Sequence, residues 1–308
     1  MMGLRHTADV RTLLWVGLAI TLVVLQYVWP DLVIYLCPLS CYLATACGVI
    51  AHNHNHQPTF RRKIWNHGLG HILSIFYGYP TLMWIPTHNL NHHRFTNRPG
   101  DATITWRHTN SNNLWVVLTY PFVSGFYQSK PIEQYIKRAK IRNRSLYQRI
   151  IFQYAFWMGV YAVMLAIAAW LHHHDRTGRG LYVWFFAVIL PAGCSATLIM
   201  IFNFIQHVHA DAWSQLDHSR NFTSRSFNFL FFNNGFHTAH HERPALHWSQ
   251  LPAAHAELMP SIDPRLNERS LLWFLVRQYL LAPFFPCLGT QQLGAAPNAV
   301  REEAATAV

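Results

Sequence analysis

Four long charge-free runs, arranged as two close pairs, constrain this chain more than any other feature. Leu13 to Trp29 is 17 residues without a charge and Leu32 to Ala51 is 20, with only the turn Pro30-Asp31 between them. Ile150 to Leu171 and Leu181 to Ile205 repeat the pattern around the loop His172-His173-His174-Asp175-Arg176-Thr177-Gly178-Arg179-Gly180. A helix crossing a bilayer needs about 20 mostly apolar residues. The runs therefore predict two hairpins of spanning helices, over 13–29, 32–51, 150–171 and 181–205.

Composition agrees with a membrane protein. Of 308 residues, 51% are hydrophobic and 12% charged, against roughly 25% charged in a soluble domain. The net charge of +11 is carried beside apolar runs rather than on an aromatic-studded polar surface, so lipid headgroups or an acidic partner fit it and nucleic acid does not. The five cysteines are odd in number and contain no CxxC; they read as buried free thiols. The first run ends at Trp29-Pro30 without a small-residue cleavage site and is expected to stay in the chain. All but two of the 24 Lys and Arg, the exceptions being Arg176 and Arg179, fall on one side of this arrangement. That side is expected to be cytoplasmic, and with it both termini.

Three segments lie outside the four spans yet are apolar or strongly basic. Gly68 to Ile85 reads as an interfacial or re-entrant helix pair bent near Gly78-Pro80, and Leu114 to Phe126 and Leu271 to Phe285 as interfacial helices. Lys130 to Arg149 carries seven basic residues and suits either a headgroup-facing helix or a solvated one. The expected fold is an all-α integral membrane protein: four transmembrane helices, interfacial helices and a cytoplasmic histidine-rich cap. One domain is expected over 1–288, with a disordered tail over 289–308.

The histidines supply the chemistry. Residues three and four apart share a helix face, so His52 with His56, His88 with His92, and His237 with His240 and His241 can each aim imidazoles at one spot. His93 follows His92, and His207 ends the fourth apolar run. These nine, His52, His56, His88, His92, His93, His207, His237, His240 and His241, are too many for one ion, since four close a tetrahedral site. Two ions with four or five ligands each fit better. Imidazole suits zinc, copper, iron and nickel alike; a sulfur-free pair at a membrane surface suits iron acting on an apolar substrate, with zinc able to replace it on purification. Asn203, Asp101 and Asp211 are candidates for holding a metal-bound water or orienting imidazoles.

His52-x-x-x-His56, His88-x-x-x-His92-His93, Asn203-x-x-x-His207 and His237-x-x-His240-His241, in this order, resemble the integral-membrane fatty acid desaturase and hydroxylase superfamily. The resemblance runs from about Leu13 to about Leu258. Asn91-His92-His93-Arg94-Phe95-Thr96-Asn97-Arg98-Pro99-Gly100-Asp101 and His240-His241-Glu242-Arg243-Pro244 support it. It implies a non-haem diiron centre that uses O2 and two electrons from outside. No electron-carrier domain is read at either end of the chain, so the donor is expected to be a separate protein such as a ferredoxin, rubredoxin or cytochrome b5-like carrier. The second box departs from the resemblance: three residues separate His88 from His92 where many desaturases have two.

The expected activity is a fatty acyl desaturase, or its acetylenase variant, acting on a thioester or lipid. A diiron hydroxylase or ketolase of an alkane, sterol or carotenoid is the alternative. A metal transporter is disfavoured because the histidines sit at span ends. Phe152, Phe156, Trp157, Trp184, Phe185, Phe186, Phe202 and Phe204 are candidate walls for an acyl chain. His54, His67, His71, His209 and the His172–His174 run read as bystanders, with His209 expected to bond Asp211 or to lie at the surface.

Overall fold

A computed structural model of the chain describes residues 3–174 and 179–297. The described residues are almost wholly helical. The one sheet joins β1 (Asn221–Phe222) in parallel to β2 (Asn267–Glu268). Four helices are long and apolar enough to cross a membrane: Thr7–Val28, Pro30–His56, Arg144–His174 and Gly180–His207. The four predicted spans are therefore present, each longer than its charge-free run because the helix continues past the apolar residues. Their regular cores are α1 (Val10–Val28), α2 (Val33–His56) and, after α3 (Lys63–Tyr77) and α4 (Leu114–Arg142), α5 (Arg144–His174) and α6 (Gly180–His207).

The described residues form two compact units, one built from 3–85, 132–174 and 179–199, the other from 86–131 and 200–297. In the first unit, α1 and α2 pack as a hairpin joined by a buried bond from Gln26 Nε2 to Ser40 Oγ, 2.9 Å. Leu14, Leu18 and Val24 of α1 and Met158, Val163, Ile167 and Trp170 of α5 are exposed. In water these would form an apolar patch larger than soluble monomers tolerate; against lipid they are an ordinary surface. Arg179 pairs with Asp31, which ties the turn between α1 and α2 to the start of α6.

The stretch 68–85 is one helix and a turn rather than the expected pair. α3 ends at Tyr77 because Gly78 takes a left-handed conformation, φ +79°, with its N–H on the Ser74 carbonyl, the usual glycine helix stop. The predicted bend lies there. Leu114 begins not a short interfacial segment but the 29-residue α4, which runs into the basic stretch. Asn143 separates α4 from α5 and caps α5 by accepting from Leu146 N, 3.0 Å.

The second unit holds short elements on a core of Phe204, Phe222, Phe232, Leu266 and Phe274, all nearly inaccessible. Much of its interior is polar. Asn221 Oδ1 accepts from Thr238 N at 3.0 Å and Asn228 Oδ1 from Gly235 N at 3.1 Å. A side chain at Gly235 would lie 2.1 Å from the Phe222 carbonyl oxygen, so only glycine permits this approach. These bonds fix the entry to α8 (His237–Glu242), which follows α7 (Arg225–Leu230) and precedes α9 (Leu251–Leu258) and α10 (Leu271–Leu281). α10 leaves Leu272, Trp273 and Leu280 exposed, as an interfacial helix would. Of the tail expected from Gly289 onward, Leu293 is buried and its N–H reaches the His209 carbonyl at 3.0 Å; 298–308 lie outside the described residues, as do Arg176 and its neighbours 175–178.

Candidate metal centre

Each histidine cluster of the second unit lies on a different kind of helix. Residues Ile85–His92 form a π-helix, whose bonds run from i to i+5 rather than i+4. His88 and His93, five apart, therefore meet: their Nε2 atoms are 3.0 Å apart. His88 and His92, expected to share a face, do stack with ring centroids 5.2 Å apart, but the π-helical period sends their nitrogens to different groups. His237 and His241 stand four apart on the α-helical α8, with Nε2 atoms 3.1 Å apart.

Two groups of ring nitrogens result. His92 Nε2 lies 3.1 Å from His207 Nε2, which lies 2.9 Å from His237 Nε2. With His241, these four imidazoles present atoms all within 4.8 Å of one another. His93 Nε2 likewise lies 3.0 Å from His88 and from His240. Thus His240, expected on the same spot as His237 and His241, joins His88 and His93 instead. In the first unit, His52 and His56 occupy the last turn of α2 with ring centroids 5.0 Å apart, and His52 stacks on Trp84 at 5.4 Å.

The four-histidine group fits a cation, and the outer nitrogens show why. His92 Nδ1 faces Asp101 Oδ2 at 2.8 Å, and His207 Nδ1 faces the His218 carbonyl at 3.0 Å. Burial would push the Asp101 carboxyl up, but His92 and the donors from Thr103 outweigh it and hold the carboxyl at about 2. Asp101 is then ionised and only accepts, as does the carbonyl. Both Nδ1 atoms must carry the hydrogen, so that in neutral rings the two Nε2 lone pairs would face each other at 3.1 Å. A shared cation removes that repulsion. Two nitrogens about 2.1 Å from one ion and at right angles to it would be about 3 Å apart. Burial, then the neighbouring His93 and His237, hold His241 well below the ordinary histidine value, which leaves it neutral and able to donate a lone pair.

Asp101 is itself fixed by three further bonds. Its Oδ2 accepts from Asn97 N, and its Oδ1 from the Thr103 N–H and hydroxyl, all at 2.7 Å. Tyr120 OH donates to the Thr103 carbonyl at 2.6 Å and accepts from Asn203 Nδ2 at 2.7 Å. Asn203 thereby connects to the Asp101 loop one turn before His207. Asp211 is elsewhere: its Oδ1 accepts from Trp213 N in a turn, 3.0 Å, and no imidazole is among its hydrogen-bond partners in the described residues.

The bystanders have other occupations. His54 bonds Thr59 Oγ and the Asn66 carbonyl, at 2.9 and 3.1 Å. His67 Nε2 accepts from the Arg149 guanidinium at 2.8 Å, and His71 packs edge-on against Phe152. His209, at φ +61°, bonds Asn110 and Thr290 instead of the expected Asp211, because the left-handed turn after α6 swings it away. His174 is exposed and bonds its own helix at the Trp170 carbonyl. Among the aromatic residues proposed as walls, Phe152 and Phe185 are exposed and Phe204 is buried against Tyr120.

Sequence reading missed His218, Asn97, Thr103 and Tyr120. His218 supplies the carbonyl for His207, sets its ring 5.2 Å from that of His241, and lies 3.6 Å from Glu242. Its signal was weak, a lone histidine 11 residues past His207 that acts through its backbone. Thr103 was nearer to hand, two residues past Asp101.

No curated protein and no solved structure matches the chain. The sequence model of the family described as fatty acid desaturase matches residues 27–286, a range that holds all nine candidate ligands and most of the four candidate spans. With the histidines converging as they do inside the matched range, the chain belongs to the fatty acid desaturase family, the membrane desaturase and hydroxylase superfamily.

Proposed function

We propose that this oxidoreductase is a membrane-bound, O2-dependent fatty acyl desaturase. The observation that carries the reading is the convergence of four imidazoles, two with their outer nitrogens held from behind, within a fatty acid desaturase match. In the proposal, His92, His207, His237 and His241 hold one iron, and His88, His93 and His240 contribute ligands to the other. The two irons, when bound, supply the O2 activation that breaking unactivated C–H bonds demands. One turnover converts a CH2–CH2 unit, O2, two electrons and two protons into a cis or trans CH=CH unit and two waters. The electrons come from a separate carrier of the ferredoxin, rubredoxin or cytochrome b5 class.

The chain's own part is to place and to exclude. Asp101 and the His218 carbonyl keep Nδ1 protonated on His92 and His207, so that Nε2 is available and its direction fixed. An acyl chain, as a thioester or lipid, reaches the centre from the bilayer, where the apolar helices hold it against the site. Both termini and the centre face the cytoplasm in this reading, on the charge bias of the loops; both termini should be protected from added protease in right-side-out vesicles, and cleavage of either would overturn that sidedness.

Product analysis by mass spectrometry on deuterium-labelled acyl substrates tests the activity. Loss of two hydrogens is the expected result. Gain of one oxygen would make the protein a hydroxylase and overturn the desaturase reading.

A further inference from the structure

The basic stretch at the junction of α4 and α5 has no part in the metal centre, and its surroundings are unusual. All of it from Ile132 onward belongs to the first unit. Ile132, Tyr135, Ile136 and Ala139 pack inward with Met83 and Ile150. On the other side Lys137, Arg138, Lys140, Arg142 and Arg144 are exposed. Lys137 is paired with Glu133. Among the described residues, Arg138, Lys140, Arg142 and Arg144 have no ion-pair partner. Between them Ile141 is 83% exposed, an apolar side chain presented within a row of cations.

Position decides what such a surface meets. The charge-free run of α5 starts at Ile150, six residues after Arg144, or roughly 9 Å along a helix. That distance sets the Arg144 backbone roughly 3 Å past a headgroup layer roughly 6 Å deep, within reach of that layer for a long basic side chain. Cations immediately beside a spanning helix attract anionic lipid. An apolar residue among them suits the boundary between headgroup and acyl chain, where long basic side chains lie along apolar surface with their charges in the polar layer. A soluble acidic protein would instead need these groups to stand clear of the membrane.

We propose that Arg138, Lys140, Arg142 and Arg144, with Ile141 as an apolar anchor, form a binding site for anionic phospholipid headgroups at the junction of α4 and α5. The site depends on the chain being a membrane protein and not on its being a desaturase.

Native mass spectrometry tests this on the full-length protein, released from detergent after equilibration with equal amounts of phosphatidylglycerol and phosphatidylcholine. The wild-type protein is expected to retain phosphatidylglycerol in preference. The variant R138Q/K140Q/R142Q/R144Q should lose that preference by at least about tenfold, while R138K/R142K/R144K, which keeps every charge, should hold it. R225Q/R269Q, which removes two exposed cations elsewhere, should also hold it. No preference in the wild-type protein, or an unchanged one in the glutamine variant, would overturn the site. So would a glutamine variant that retains the lipid but no longer captures an acidic redox protein, which would assign the patch to a protein partner.

Discussion

The second and third histidine segments do the same work with different helical periods. In the π-helix His88 and His93 share one group and His92 turns to the other; in α8 His237 and His241 share one group and His240 turns to the other. First and last histidines go together in both, and the middle one crosses over. The segment His88-x-x-x-His92-His93 has one residue more than His237-x-x-His240-His241. A helix absorbs one extra residue by a turn of i to i+5 bonding. The departure from the usual desaturase spacing is therefore compensated in the backbone, and the π-helix is what makes His88 equivalent to His237.

The strongest test of that equivalence removes ligands in pairs. His237→Ala and His88→Ala should each abolish turnover and each lower metal content by about one ion per chain, while the protein stays folded by circular dichroism. If His88→Ala keeps full metal, the second segment is not the counterpart of the third. His174→Ala, which removes an exposed histidine, serves as the reference and should leave turnover and metal content unchanged.

Deleting Leu90 sharpens the comparison. Leu90 is 57% exposed, and its loss would give the second segment the spacing of the third, so an α-helix would restore the same grouping. The deletion is expected to keep metal content and to cost no more than about tenfold in activity, the lower end of what disturbing a ligand's support costs. A deletion variant that folds but has lost its metal would mean the π-turn is required for itself and not as compensation.

Asp101→Asn probes the support behind His92 in the second segment. It should lower metal affinity or activity by about 10–100-fold, read by metal retention against a chelator, because an amide no longer dictates the His92 tautomer. Asp101 also carries a pH signature. Its carboxyl is held at about 2 against an ordinary value of 3.8. The stability it contributes is present in full above that ordinary value and is lost as pH falls toward 2. Stability of the metal-free protein should therefore fall less steeply across this window in Asp101→Asn than in the wild-type protein.

The smallest expected effect is at His255, which is buried against Phe236 with neither ring nitrogen hydrogen-bonded. Though close to the third segment, it supports no ligand. His255→Leu removes two unpartnered polar atoms and should leave metal content unchanged and thermal stability equal or slightly raised. A loss of metal would make it part of the third segment's support.

These contrasts also mark what the sequence carries. The spans were legible because length and apolarity alone decide them; Leu13 to Trp29 needs no partner to be recognised. The seven candidate histidines of the second unit were legible from their spacing, which follows from residue type. Their division between two groups was not, because it depends on whether residues 85–92 wind as α or π, which no periodicity of side chains reveals. The support behind them was half legible. Asp101 is a carboxylate and was named, but His218 acts through a carbonyl that every residue possesses, and Asp211 resembled Asp101 in sequence while the chain used it to close a turn.

The central claim is that this chain holds two metal ions in separate histidine groups, and metal stoichiometry tests it most directly. Protein from iron-replete cells, analysed by inductively coupled plasma mass spectrometry against amino-acid quantitation, should carry about two ions per chain, and His207→Ala about one. A fully active wild-type sample with a single ion per chain would contradict the account.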